Sequence, residues 1–411
     1  MESFEAKFEK ACNEGEIPGV VLLAYDKCGT FTYAKAFGEK KPGEKMDLES
    51  TFIFASCTKL MTSIAALQCV ERGLISLDDD VSKVLTDLKD LEILTGADEN
   101  GAPTLKPCEI KVTLRHLLTH TSGFTYDGMS PSLMKWRKSK GQALGTYKKS
   151  RSEALKLPVL FEPGSSWMYG LGLDHAGALV SKLTSTNLEV YMQNNVWDVV
   201  GANDITFHME LKPKVRENLV KLRARGGVSK PASSLPEDTG KPVVWSDAIL
   251  FDDPNPIDNE MGGQGCWGKP SSYMKILKSI LDNDGKLLKP ETVELMFTPQ
   301  LAPASNAKKA LQKFNDDNIW TGTFASHEAG TPLNYGLGSG LVEVNEATGR
   351  KKGTLSWSGL TNLLWTIDRE TGLALFYASN LIPFGDHASH WYQQLFEKEM
   401  YDRFAKSNSK L

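Results

Sequence analysis

Thr51-Phe-Ile-Phe-Ala-Ser-Cys-Thr-Lys-Leu-Met-Thr-Ser-Ile-Ala-Ala-Leu-Gln-Cys-Val-Glu-Arg-Gly73 is the stretch on which the fold of this chain turns. It starts as a short apolar, strand-like run. At Ser56 the pattern becomes helical, with Leu60, Ile64, Leu67 and Val70 on one face and Gly73 suited to end the helix. Within it lies Ser56-x-x-Lys59. Residues i and i+3 share a helix face, so the lysine nitrogen can reach the serine hydroxyl. A serine at a helix N-terminus sits among unpaired backbone N–H groups and the positive end of the dipole, which stabilise developing negative charge. Lys59 on an apolar face is desolvated, which favours a neutral amine able to act as a base. The same serine also reads as an ordinary N-cap beside an unrelated lysine.

The Ser-x-x-Lys pattern occurs five times, at Ser56, Ser132, Ser272, Ser305 and Ser407. Ser407 falls in the tail and Ser305 in a polar stretch. Ser132 follows Pro131 in a polar loop, and Ser272 opens what reads as a surface-type helix. Ser56 alone follows a buried-looking run and opens a long apolar helix. Other signatures fail. There is no G-x-S-x-G and no H-E-x-x-H. A G-x-G-x-x-G match at Gly263–Gly268 follows no predicted strand, and Pro270 interrupts the helix it would need. It reads as a tight glycine turn lining a cleft, not a dinucleotide site.

Strand signals lie at both ends of the chain. Residues 19–25 and 30–37 form a predicted β-hairpin after a helix over 2–14. Residues 353–358, 363–368 and 373–378 form a predicted meander, followed by a helix over 387–405 with Trp391, Leu395, Met400 and Phe404 facing inward. Between them, helical stretches at 113–119, 173–184 and 187–198 are separated by polar loops. The expected fold is α/β (α+β): an antiparallel sheet built from both termini and flanked by helices, with a mostly helical insert. The boundaries expected are 1–90 and 241–411 for the discontinuous sheet domain and 91–240 for the insert. A cleft between the two is a natural ligand site.

The chain has 411 residues, 41% apolar and 9% aromatic, and a formal net charge of −4. Disorder is excluded as the main state, and nothing suggests a nucleic-acid partner. The six cysteines form no C-x-x-C, which reads as reduced structural thiols in an intracellular protein, with no metal site. The N-terminus has no apolar signal core, and no apolar run is long enough for a membrane span. The chain ends Ser409-Lys410-Leu411, the address read by the peroxisomal import receptor. The expected location is therefore the peroxisome, and otherwise the cytoplasm.

Ser56-Cys-Thr-Lys59 resembles the nucleophile motif of the serine β-lactamase and penicillin-binding-protein superfamily. Leu114-Arg-His-Leu-Leu-Thr-His-Thr-Ser-Gly-Phe124 resembles a specific signature of the same superfamily. The similarity extends through Gly262-Gly-Gln-Gly265 and Asn334-Tyr-Gly-Leu-Gly338. It is closest to the class C-like esterases and, within them, to fungal lovastatin acyltransferase-type transesterases. The resemblance implies a β-lactamase/transpeptidase-like fold and an acyl-serine intermediate. It places Tyr169, in Glu162-Pro-Gly-Ser-Ser-Trp-Met-Tyr-Gly170, as the tyrosine that works with Ser56 and Lys59. Position 171 is Leu, so the asparagine of true class C lactamases is absent. Ser185-Thr-Asn187 imitates the second motif but suits a helix cap better.

No Lys-Thr-Gly occurs; the matching stretch is Trp357-Ser358-Gly359-Leu360. A tryptophan cannot pair with a carboxylate, which counts against β-lactam recognition. The resemblance gives the oxyanion hole to the backbone N–H groups of Ser56 and Leu360. It sets Trp357, Ser358 and Gly359 beside the substrate, with sheet core as the lesser alternative for Trp357. Tyr126 and Phe384 line the acyl or acceptor pocket by position, or are plain packing. His116 and His120 are structural in such a protein. The implied activity is serine acyl transfer without a cofactor, from an ester or thioester (acyl-CoA or carrier-protein-bound acyl) to a small-molecule alcohol, in secondary metabolism. The alternative is a carboxylesterase using the same Ser-Lys-Tyr set.

Overall fold

A computed structural model describes residues 2–99, 102–142, 151–227, 240–248, 250, 260–317, 327 and 330–408. Ser409, Lys410 and Leu411 lie outside the described residues. The elements that position the site are the helices α1 (Phe4–Asn13), α2 (Thr58–Glu71), α3 (Gly172–Thr184), α4 (Pro270–Asp282) and α5 (His387–Asn408) and seven sheet strands. The strands are β1 (Val20–Asp26), β2 (Thr32–Phe37), β3 (Leu333–Tyr335), β4 (Gly340–Val342), β5 (Leu355–Gly359), β6 (Leu363–Asp368) and β7 (Leu373–Ala378).

The sheet order is β3-β4-β5-β6-β7-β1-β2, antiparallel throughout. The N-terminal hairpin thus closes onto the C-terminal meander through β1 and β7, with Leu23 opposite Phe376. The antiparallel sheet expected from the sequence is present, with helices on both faces.

Alternation explains why β7, Leu-Ala-Leu-Phe-Tyr-Ala, is apolar along its whole length. Leu373, Leu375 and Tyr377 pack with Phe8, Phe396 and Met400 under α1 and α5. Ala374, Phe376 and Ala378 face the main core with Tyr273, Ile276 and Ile280 of α4. A strand covered on both sides must be apolar on both sides. Burying Phe376 or Phe8 fully is worth about 3 kcal/mol each.

Two helical readings need correction. α4 is not a surface helix: Ser272, Tyr273, Ile276, Leu277 and Ile280 are buried because the helix lies across the sheet. In α5 the inward stripe runs through Tyr392, Phe396, Met400 and Phe404, while Trp391 is 48% exposed. Ser132 also lies in helix, in the first turn of Pro131–Ser139 capped by Ser130, rather than in a loop. Asn187 caps the helix Leu188–Met192, accepting from Val190 N–H, as its sequence context suggests. None of the described helices is long and apolar enough to cross a membrane.

Candidate active site

The site is assembled where four segments converge on the start of α2. Phe52–Ile53 pairs with Trp267–Gly268, and this short ribbon holds the chain just before Ser56. Ala55 has φ +45°, a conformation that costs an ordinary residue energy and recurs at functional turns. Ala55–Cys57 then forms one 3₁₀ turn that leads into α2. No side chain caps α2, and the Ser56 hydroxyl is turned elsewhere.

Its partners are the other two residues singled out in the sequence. Tyr169 Oη lies 2.6 Å from Ser56 Oγ. Lys59 Nζ lies 3.2 Å from the same oxygen. Lys59 is fully buried, and two further acceptors surround it: Gly263 O at 2.7 Å and Tyr126 Oη at 3.0 Å. The lysine nitrogen is also 4.6 Å from the centre of the Tyr169 ring. Gly263 O is the working atom of the glycine turn read from the sequence.

Tyr169 is held by close backbone packing. Thr125 Oγ1 donates to Tyr169 O at 2.8 Å. A Cβ on Gly170 would lie 2.2 Å from Thr125 Cα, so a residue without a side chain is required directly after the tyrosine. This contact brings Tyr126 and Tyr169 together, their rings 5.8 Å apart.

The two histidines are structural. His116 and Thr113 form a reciprocal capping box at the helix Leu114–Leu118. His120 accepts from Gly170 N–H through Nδ1 at 3.3 Å, and its ring lies 4.8 Å from that of Tyr169. Burial, reinforced by the Lys59 charge, holds the His120 imidazole well below its ordinary range, so it stays neutral.

Trp357 on β5 packs 5.3 Å from the Tyr169 ring and 5.5 Å from Tyr335. Phe314 adds a further wall, 6.5 Å from Tyr169. The site around the phenol is thus aromatic and apolar. Gly359 closes against the 3₁₀ turn: a Cβ there would sit 2.6 Å from Phe54 O. Leu360 follows at the strand end, half-buried beside the main core. Ser358 differs from its sequence-based placement. It pairs with Leu364, whose side chain packs under α1 and α5, so strand alternation sets Ser358 on the far face from Trp357. Phe384 is buried in the main core, in a loop held by Asn362, whose side chain bonds Leu381 O, Pro383 O and Gly385 N.

Sequence reasoning missed Asp174 altogether. This carboxylate on α3 is fully buried. It accepts from Gly263 N–H at 2.8 Å through Oδ1 and from Tyr126 Oη at 3.4 Å through Oδ2. Tyr126 itself was foreseen as a pocket wall, but its hydroxyl is a ligand of Lys59. Among the described residues no group of His, Cys, Asp and Glu is arranged to hold a metal ion.

Comparison with known proteins shows the family and the fold. A family model described as Beta-lactamase matches residues 4–397. An ML-236A carboxylate methylbutanoyltransferase of Penicillium citrinum is 33% identical over 98% of this chain and 94% of its own. A lovastatin esterase of Penicillium rubens is 34% identical over 98% of both chains. The structure of a mutant simvastatin synthase from Aspergillus terreus superposes with a TM-score of 0.87 at 32% identity, covering 98% of this chain and 95% of that one.

Proposed function

Since this chain belongs to the beta-lactamase family, we propose that it is a serine acyltransferase that moves an acyl group from a thioester to a small-molecule alcohol. Its relatives are named acyltransferases and esterases, and the chain is an enzyme of that kind acting on small-molecule acyl compounds. The observation that carries the mechanism is the placement of Ser56 Oγ between Tyr169 Oη and Lys59 Nζ.

Lys59 Nζ has three oxygen atoms around it, Ser56 Oγ, Gly263 O and Tyr126 Oη, which anchor it beside the serine. Tyr169, in hydrogen-bond reach of Ser56 Oγ, works as the general base. Ser56 Oγ attacks the acyl carbon and its proton passes to the Tyr169 oxygen. The C–S bond breaks and the leaving thiolate takes that proton. In the second half the acceptor alcohol gives its proton to Tyr169 as it attacks the acyl-Ser56 carbonyl, and the serine leaves reprotonated. In both halves the N–H groups of Ser56 and Leu360 hold the oxyanion.

Transfer and hydrolysis differ in whether an alcohol outcompetes water. Aromatic walls at Trp357, Tyr335 and Phe314 favour an apolar acceptor over bulk water. The acceptor we favour is an alcohol on a polyketide-type secondary metabolite, and the donor an acyl-CoA or a carrier-protein-bound acyl group. The test offers a panel of acyl thioesters with and without such alcohols and separates ester from free acid. Ester should dominate whenever the alcohol is present. Free acid at the same rate with and without alcohol would make the protein an esterase.

The terminal Ser409-Lys410-Leu411 supports location in the peroxisome. A fluorescent reporter carrying residues 387–411 at its C-terminus should collect in peroxisomes; diffuse cytosolic signal would reject this.

A further inference from the structure

We propose that Asp174 is a positioning residue that aims Lys59 at Ser56 and Tyr169. The inference rests on the mechanism above and extends it to a residue that touches neither substrate nor serine.

Asp174 reaches Lys59 by two routes. Through Oδ1 it accepts the Gly263 N–H at 2.8 Å, and the carbonyl of that same glycine accepts from Lys59 Nζ at 2.7 Å. Through Oδ2 it accepts the Tyr126 hydroxyl at 3.4 Å, and the oxygen of that hydroxyl accepts from Lys59 at 3.0 Å. Two of the three oxygen atoms around Lys59 Nζ are therefore fixed by one carboxylate. The fit is tight: a Cβ on Gly263 would lie 2.4 Å from Asp174 Oδ2. Neighbouring Gly262 O accepts from Thr62 Oγ1 at 2.6 Å, which ties the same glycine turn to α2.

A buried carboxylate needs such partners, because an unpaired charge without solvent is costly. Burial pushes the Asp174 carboxyl up to about 6, opposed by Lys59 and by the Gly263 N–H, so it is an anion at pH 7 to 8. The charged and titratable groups on the packed elements bear this out. Lys59 comes from α2. The helix Leu114–Leu118 and its following loop bring His116, His120 and Tyr126. Burial holds Tyr126 protonated and His120 neutral. The helix Leu188–Met192 brings Glu189, which is engaged with Thr206 and Phe207 N–H. On α3 itself His175 is held down to about 3 by burial and is also neutral. Lys59 is thus the basic group that faces Asp174.

The test compares Asp174→Ala with Asp174→Asn by kcat and KM for the donor. Ala removes both routes, whereas the amide oxygen of Asn can still accept from Gly263 N–H. In Asp174→Ala kcat should fall about tenfold or more with KM for the donor within twofold, and Asp174→Asn should recover part of that loss. If Asp174→Ala does not fold, Tyr126→Phe removes the second route alone and should lower kcat in the same way, with KM held. An unchanged kcat in a folded variant, or a loss carried by KM, overturns the inference. Wild-type enzyme run in parallel separates the two levels: if it forms no acyl-Ser56 the mechanism itself fails, whereas normal acylation with an unchanged kcat in the variants removes Asp174 alone.

Discussion

Ser56→Ala should abolish acyl transfer and ester hydrolysis together, lowering kcat on the order of 10⁴-fold or more. Both reactions pass through one covalent bond to Ser56 Oγ, so neither has a detour. The substitution removes one oxygen that Tyr169 Oη and Lys59 Nζ both contact. Lys59 keeps Gly263 O and Tyr126 Oη, so no buried charge is left bare and stability should change by less than about 1 kcal/mol. Steady-state turnover against thermal unfolding of the same preparation checks this. Substantial residual turnover by a folded Ser56→Ala protein would mean that the acyl group is transferred directly or through another residue.

Tyr169→Phe is the second large effect. The ring contacts with His120 and Trp357 survive this change, as does the bond from Thr125 to the Tyr169 carbonyl. Only the oxygen 2.6 Å from Ser56 is lost. General-base catalysis contributes about 10² to 10⁴-fold, and kcat should fall by that amount with KM nearly unchanged. Pre-steady-state acylation and deacylation should slow alike, because the same oxygen moves the proton in both halves. A loss of less than threefold would hand the role of base to Lys59.

Much of this site is legible in the chain because its central parts are local. Ser56 and Lys59 are one helical turn apart, and Tyr169 lies in a contiguous segment, Glu162–Gly170, whose resemblance to the family places it. The sheet is legible for a similar reason: each hairpin carries its own turn residues and its own alternation. What escaped depends on distant segments meeting. Asp174 stands alone in the sequence, 89 residues from the glycine whose N–H it accepts. Nothing near it announces a partner, and only the packing of α3 against α2 and the glycine turn supplies one. Tyr126 was placed at the right spot with the wrong task, since ring and hydroxyl serve different neighbours.

The errors in helix faces have a simple cause. Trp391 and Leu395 satisfy helical spacing, but so do Tyr392 and Phe396 one step on. A one-residue shift turns the face by about 100°, and periodicity alone does not fix the phase when both registers carry large apolar residues. The sheet chose Tyr392 and Phe396. Ser272 misled in the reverse way: the polar residues of α4 hid a helix pressed against the strands. Ser358 shows the same limit in a strand, where its neighbour in the motif faces the site and it faces away.

The most direct measurement is the intact mass of the protein after brief exposure to a slow acyl thioester without acceptor alcohol. The account predicts a population heavier by one acyl group, mapped by peptide analysis to Ser56, absent in Ser56→Ala, and discharged as ester when the alcohol is added. Turnover of the thioester with no such adduct on a quenched timescale, or an adduct mapped to another residue, would contradict it.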